Sequence, residues 1–347
     1  MWGILLSAAL AVRLGPMGPD APARQPQLAA NSSVVALAFG AGNAIWYTSS
    51  RDGGKTFAPA VKVATAGMLP LGRHRGPRVA LAGNAVVITA VVGNDPKPGG
   101  DGDLVAWRSE DGGRTWSAGK IVNDMPASAR EGLHALASDG KNTLFAVWLD
   151  DRGGAGKKLY GARSTDGGRT WSANVAIYRS PDGSICQCCH PSVAIGPTGE
   201  IVAMWRNWLG GSRDFYLATS RDGVTFSPAQ KLGTGTWKLD ACPMDGGGLA
   251  MTSGKILTAW RRETGVFVAE PGQAERRIGD GKDVALASDG AHVYVAWTDG
   301  SKVELWTDGK LETLSNSAGF PSLAALPGGG AIAGWEENGA IQIRRLP

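Results

Sequence analysis

One short phrase occurs four times in this chain: Ser50-Arg51-Asp52-Gly53-Gly54-Lys55-Thr56-Phe57, Ser109 to Trp116, Ser164 to Trp171, and a shortened copy from Ser220 to Phe226. Its aspartates, Asp52, Asp111, Asp166 and Asp222, follow one another at 59, 55 and 56 residues. That period is the length of one four-stranded sheet with its connections, so each copy marks one blade of a β-propeller. Within a copy the Asp carboxylate accepts from backbone N–H groups further along the turn. The glycines supply positive φ, and the closing Thr-Trp or Thr-Phe restarts a strand with an inward ring. The phrase is structural and carries no catalysis.

A second phrase fills the later half. Ala146-Val147-Trp148, Ala203-Met204-Trp205, Thr258-Ala259-Trp260, Val295-Ala296-Trp297 and Ala333-Gly334-Trp335 each close a strand of alternating apolar residues. The tryptophans step by 57, 55, 37 and 38 residues, so units without the Asp turn are shorter. Innermost-strand phrases recur near Gln27-Leu28-Ala29, Arg78 to Leu81, His134 to Leu136, Ser192 to Ile195, Gly248 to Ala250, Val284 to Leu286 and Ser322 to Ala325. Seven starts predict an all-β, seven-bladed propeller of four-stranded antiparallel blades. The last unit reaches Pro347 without an obvious fourth strand; sharing a blade with the first unit would leave six. No helix of any length is predicted.

With 347 residues, 51 Gly, 13 Trp and 43% apolar content, the chain suffices for one large domain over residues 26–347, with no internal linker. Residues 1–25 open on an apolar run, Met1 to Val12, too short to span a bilayer, followed by Pro-rich sequence and Ala21-Pro22-Ala23. The run resembles the core of an export signal, without the positive leading segment, and predicts a secreted or periplasmic protein with no membrane span. A net charge of +4 is mild and its cations are scattered among acids, which argues against a nucleic-acid footprint. A monomer taking a glycan or other small acidic ligand is expected.

In a propeller the turns joining second to third strands, and outer strands to the next inner strand, share one face. The Asp turns mark the opposite face. The first face then holds most residues capable of chemistry. Arg75, Arg206 and Arg261 follow strand ends or lie at blade entrances, so their guanidinium forks are candidates to clamp a carboxylate. Trp208 and Trp237 are the two tryptophans on these loops; either an aromatic stack on a sugar ring or packing between blades accounts for them.

These features resemble the sialidase (neuraminidase) superfamily, the Asp-box or BNR-repeat propellers, over most of residues 26–347. Arg75-Gly76-Pro77 resembles the family's Arg-x-Pro motif, whose arginine belongs to a carboxylate-binding triad, and the resemblance makes Arg206 and Arg261 the other candidates. The Asn94-Asp95 loop lies where the family carries its acid/base aspartate, and Asp103-Leu104 with Arg108 to Asp111 resembles the approach to its first Asp box. The implied mechanism also needs a tyrosine polarised by a glutamate to attack the anomeric carbon. Where the family carries that tyrosine this chain has Phe320-Pro321-Ser322-Leu323, and Tyr47, Tyr160, Tyr178, Tyr216 and Tyr294 all fall on strands. The resemblance therefore implies a sialidase-like glycoside hydrolase with Asp95 as proton donor. The missing tyrosine supports a non-catalytic propeller binding a glycan or protein instead.

All four cysteines lie on two neighbouring loops of the same face, Cys186-Gln187-Cys188-Cys189-His190 and Asp240-Ala241-Cys242-Pro243-Met244. The first segment resembles one found in a bacterial subgroup of the same repeat proteins. Four cysteines in an exported protein predict two disulfides, with Cys242 bridging to the first cluster. The alternatives are a copper or zinc site built from Cys186, Cys188, Cys189, His190 and Cys242, with Met244 alongside, or a redox-active pair.

Overall fold

The computed structural model describes residues 11–93, 102–154, 156–252 and 254–347, with only the backbone of Arg130 and Glu131. Its strands form seven antiparallel sheets of four strands each. No helix occurs among the described residues. The innermost strands, in blade order, are Arg24–Ala30, Arg78–Ala82, Ala129–Ser138, Ser192–Ile195, Gly247–Thr252, Lys282–Ser288 and Gly319–Ala325. Every innermost-strand phrase read from the sequence lies in one of them, and the Trp phrases fall on the second strands.

The ring closes by pairing its two ends. Val12–Leu14 forms the outer strand of blade seven, with Val12 opposite Ile343, Arg13 opposite Gln342 and Leu14 opposite Ile341. The first unit thus lends the last unit its missing strand, which makes seven blades rather than six. Val12–Leu14 belongs to the stretch that resembled an export leader, and residues 1–10 of that stretch lie outside the described residues. The first inner strand begins at Arg24. No helix among the described residues is long and apolar enough to cross a membrane.

The Asp turns do more than reverse the chain. Asp52 Oδ1 accepts from Lys55 N at 3.0 Å and Thr56 N at 2.9 Å, and Thr56 Oγ1 donates to Oδ2 at 2.6 Å. Ser50 Oγ donates to Asp52 at 2.7 Å and accepts from Gly54 N at 2.8 Å, which satisfies the turn internally. The same bonds recur around Asp111. Each turn also tucks under the preceding blade: a Cβ on Gly113 would overlap the Tyr47 ring, and one on Gly54 would overlap Ile332. Blade-to-blade packing is apolar, as where Ile45 and Tyr47 meet Val79, Ile88 and Trp107.

Candidate functional site

The inner strands converge on the face opposite the Asp turns, and the residues at which their continuous pairing begins locate the mouth of the channel. Those residues are Gln27, Arg78, His134, Ser192, Gly247, Ala285 and Ser322. Two positions earlier in each blade stand Gln25, Gly76, Gly132, His190, Asp245, Asp283 and Phe320. Bulges interrupt the register at this point in blades one, three, six and seven. Gln25, Asp283 and Phe320 adopt φ of 55°, 59° and 53°, a left-handed backbone that side-chain-bearing residues rarely take. Strained backbone repeated around a channel mouth marks a constructed site.

Four of these positions come together with His74. His74 Nε2 lies 3.2 Å from Asp283 Oδ1, and Asp283 N donates to Asp245 Oδ1 at 3.1 Å. The His74 ring lies 4.2 Å from that of His190, centroid to centroid, and meets the Phe320 ring edge-on at 5.9 Å. Asp245 is 1% exposed, and neither its Oδ2 nor His190 Nδ1 has a hydrogen-bond partner among the described residues. Arg261 Nη1 stands 3.9 Å from that Oδ2.

Burial, reinforced by the Asp283 charge, pushes Asp245 up to about 6 against the pull of Arg206, His74 and Arg261. Burial also raises Asp283, but its hydrogen bond and charge interaction with His74, aided by Lys282, outweigh it and leave Asp283 below the usual carboxylate range. Adjacent carboxyl groups with protonation pushed apart are the signature of acid–base pairs. Burial, with the charges of His74, Arg78 and Arg206, keeps His190 well below the usual imidazole range.

Beside Asp283 a cleft of about 350 Å³ opens between blades six and seven. Asp283, Lys282, Thr298 and Phe320 line one part of it, and Glu336 and Glu337 another. Glu336 Oε1 accepts from Gln25 N and Nε2 at 2.7 and 2.8 Å. Glu337 Oε2 accepts from Trp335 Nε1 at 2.9 Å and from Ser315 Oγ at 2.8 Å. Phe320 occupies the cleft wall where the resemblance called for a tyrosine.

Arg206 and Arg261 meet on the Trp237 ring, each 5.2 Å from it. Arg206 is 2% exposed and donates to the carbonyls of Asp245, Arg213 and Arg261 at 3.2, 2.7 and 2.9 Å, so it ties loops together beneath the surface. Arg75 lies in the loop that enters blade two, half-buried, with its stem against Gly132 of blade three. Trp237 is buried under its arginines, and Trp208 carries the Arg213 guanidinium 4.6 Å over its ring. Asp95 lies outside the described residues. Asp103 accepts from Asn123 Nδ2 at 2.7 Å and Ala127 N at 2.6 Å, a loop-fastening role.

The cysteines divide into two pairs. Cys188 is bonded to Cys242, the bridge between the two loops anticipated from the sequence. The second disulfide predicted for four cysteines does not form: Cys186 and Cys189 are free thiols with Sγ atoms 3.1 Å apart. The thiolate set considered for copper or zinc is thereby reduced to Cys186 and Cys189, and His190 turns to His74. One donor atom from each of His74, Asp245 and Asp283 lies within 4.8 Å of the others, a second possible cation set; Arg78, Arg206 and Arg261 already bring positive charge around it.

Asp245, Asp283 and Glu336 were not singled out in the sequence. Their signal is positional: Asp245 and Asp283 precede Gly247 and Ala285 by the same two residues that separate Phe320 from Ser322, and Glu336 directly follows a Trp phrase.

Residues 162–173 match the model for the BNR/Asp-box repeat. The chain is a seven-bladed propeller that carries the BNR/Asp-box repeat. No curated protein sequence matches it. Among solved structures this propeller is similar to the GH93 α-L-arabinofuranosidase of Fusarium graminearum in complex with arabinobiose, with a TM-score of 0.57 and 13% identity over 96% of this chain and 97% of that one. It is also similar to the NanB sialidase from Streptococcus pneumoniae, with a TM-score of 0.57 and 11% identity over 97% of this chain and 70% of that one. An α-L-arabinanase from Penicillium chrysogenum complexed with arabinobiose gives a TM-score of 0.53 and 16% identity over 83% and 92%. At these identities the likeness is one of fold.

Proposed function

We propose that this propeller is a glycoside hydrolase that takes a neutral sugar into the cleft between blades six and seven, with Asp283 as the carboxylate facing the substrate. The observation that carries the reading is the Asp245–Asp283 pair beside a sugar-sized cleft, one carboxyl raised to about 6 and the other held below the usual carboxylate range. Glycoside hydrolysis needs two carboxyl groups, one to handle the leaving-group proton and one to attack or to activate water. Asp283 on one wall and Glu336 on another supply them, and Asp245 stands behind Asp283 as its proton-holding neighbour. Three acidic side chains against one lysine in the lining favour a neutral sugar over an anionic one. The arabinan-directed enzymes of the same fold are consistent with this class.

The test is hydrolysis of a 4-nitrophenyl glycoside panel holding α-L-arabinofuranoside, neutral pyranosides, a glucuronide and a sialoside. Turnover of a neutral member is expected, falling about 100-fold or more in Asp283→Asn and Glu336→Gln. Asparagine suits position 283 because it tolerates the left-handed backbone. Turnover of the sialoside or glucuronide alone would restore the arginine-clamp reading through Arg75, Arg206 and Arg261. Phenylalanine at position 320, with no oxygen to attack a sugar, favours a second reading: a propeller that binds glycans without cleaving them. Saturable arabino-oligosaccharide binding by calorimetry, with no turnover of any panel member, would select it.

A further inference from the structure

The four sulfurs form a path from the surface to the interior, independent of any glycan reading. Cys242 is exposed and is bonded to Cys188, which is buried. Cys186 Sγ lies 3.8 Å from Cys188 Sγ and 3.1 Å from Cys189 Sγ, and both free thiols are buried. Arg213 Nη1 reaches to 3.5 Å from Cys186 Sγ. A structural staple needs no thiol beside one of its own sulfurs, still less one with a guanidinium directed at it. The two thiols also differ in character. The Cys189 hydrogen bond, with Arg206 and Arg213, outweighs burial and brings Cys186 down to about 6, whereas burial and the Cys186 charge push Cys189 well above the ordinary thiol range. One is a ready thiolate and the other keeps its proton.

We propose that the four cysteines are a thiol–disulfide exchange centre, in which the buried Cys186/Cys189 pair reduces the Cys188–Cys242 bond and frees Cys242 as a surface thiol. Cys186 thiolate attacks Cys188 Sγ; the Cys188–Cys242 bond breaks, and Cys242 leaves as a thiolate that takes a proton from solvent. Cys189 then gives up its proton and attacks Cys186 Sγ, forming the Cys186–Cys189 bond and expelling Cys188, which takes that proton. One disulfide and two thiols stand on each side, so no outside oxidant or reductant is needed. The exchange unfastens the irregular segment 239–246, which carries Asp245 into the channel mouth.

The experiment uses the full chain, purified without reductant and held in its native state with N-ethylmaleimide, then denatured and digested with trypsin. Cys186, Cys188 and Cys189 fall in the peptide 180–206, and Cys242 in 239–255, so the Cys188–Cys242 bond is read as a cross-link between two peptides. The expected result is progressive release of 239–255 carrying one maleimide on Cys242, while 180–206 gains a Cys186–Cys189 bond. In Cys186→Ser the release slows about tenfold or more, because the attacking sulfur is gone. Cys189→Ser, which keeps the attacking sulfur but lacks the resolving one, blocks formation of the internal bond. If Cys186→Ser fails to fold, judged by circular dichroism, the wild-type time course with Cys189→Ser decides. A cross-link that persists unlabelled through the wild-type course, two disulfides in the native protein, or an unchanged release rate in Cys186→Ser overturns the proposal.

Discussion

At Asp245 burial and the surrounding cations act in opposite directions on the carboxyl. Its folded value of about 6 lies above the ordinary 3.8, so between those limits the native state binds more protons than the unfolded chain. The contribution of this group is therefore fully present near pH 4 and is lost as pH rises through about 6. Asp283, lowered rather than raised, acts in the other direction: its contribution is present above the ordinary value and is lost as pH falls further. Thermal melts of the wild type and Asp245→Asn across pH 5 to 8 check this. The variant is expected to gain in melting temperature relative to wild type at pH 7 to 8, with the gain shrinking toward pH 5. A constant difference across the range would show that Asp245 does not titrate there. The same residue shows why side-chain identity alone was a poor guide: Asp245 and Asp283 are two among many acids until the shared register puts both at the mouth.

Among the elements, the Asp turns of blades one to four act as wedges as well as reversals. Gly113 has φ of 94°, and a Cβ there would overlap the Tyr47 ring. Gly113→Ala is expected to cost about 1–3 kcal/mol from backbone strain and overpacking together. Gly140→Ala, at φ of 75° with nothing within reach of its Cβ, isolates the backbone part, and urea denaturation midpoints of the two compare them. In blade three, Arg152 holds the fully buried Asp150 through Nε at 2.8 Å and Nη2 at 2.9 Å, reaches Asp124 at 2.8 Å, and lies 4.1 Å over the Tyr160 ring. Arg152→Ala leaves a buried carboxylate with Ser128 Oγ, Trp148 Nε1 and the backbone N–H of residue 152 as donors but no paired cation, and is expected to cost about 3 kcal/mol. Arg152→Ala with Asp150→Asn, which removes the stranded charge, is expected to recover part of that loss in the same denaturation assay.

At the scale of the whole molecule, the ring depends on a strand of three residues. Val12–Leu14 covers the outer edge of blade seven and pairs with the segment that holds Ile341 and Ile343. A chain beginning at residue 15 would leave that edge open, and exposed edges pair with other chains. Such a truncation is expected to lower the melting temperature and to produce oligomers by size-exclusion chromatography, while the full chain stays at one size. The Asp-turn period, the Trp phrases and the inner-strand phrases already specified repeated four-stranded units, because each depends on contacts within a few residues or on strand alternation. Closure and the site depended on contacts between residues far apart in the chain: Val12 with Ile343, His74 with Asp283, Gln25 with Glu336, and Cys188 with Cys242. Local sequence determines a turn or a strand because its partners are neighbours. The channel mouth gathers one position from every blade, and only the closed ring decides which of those side chains meet.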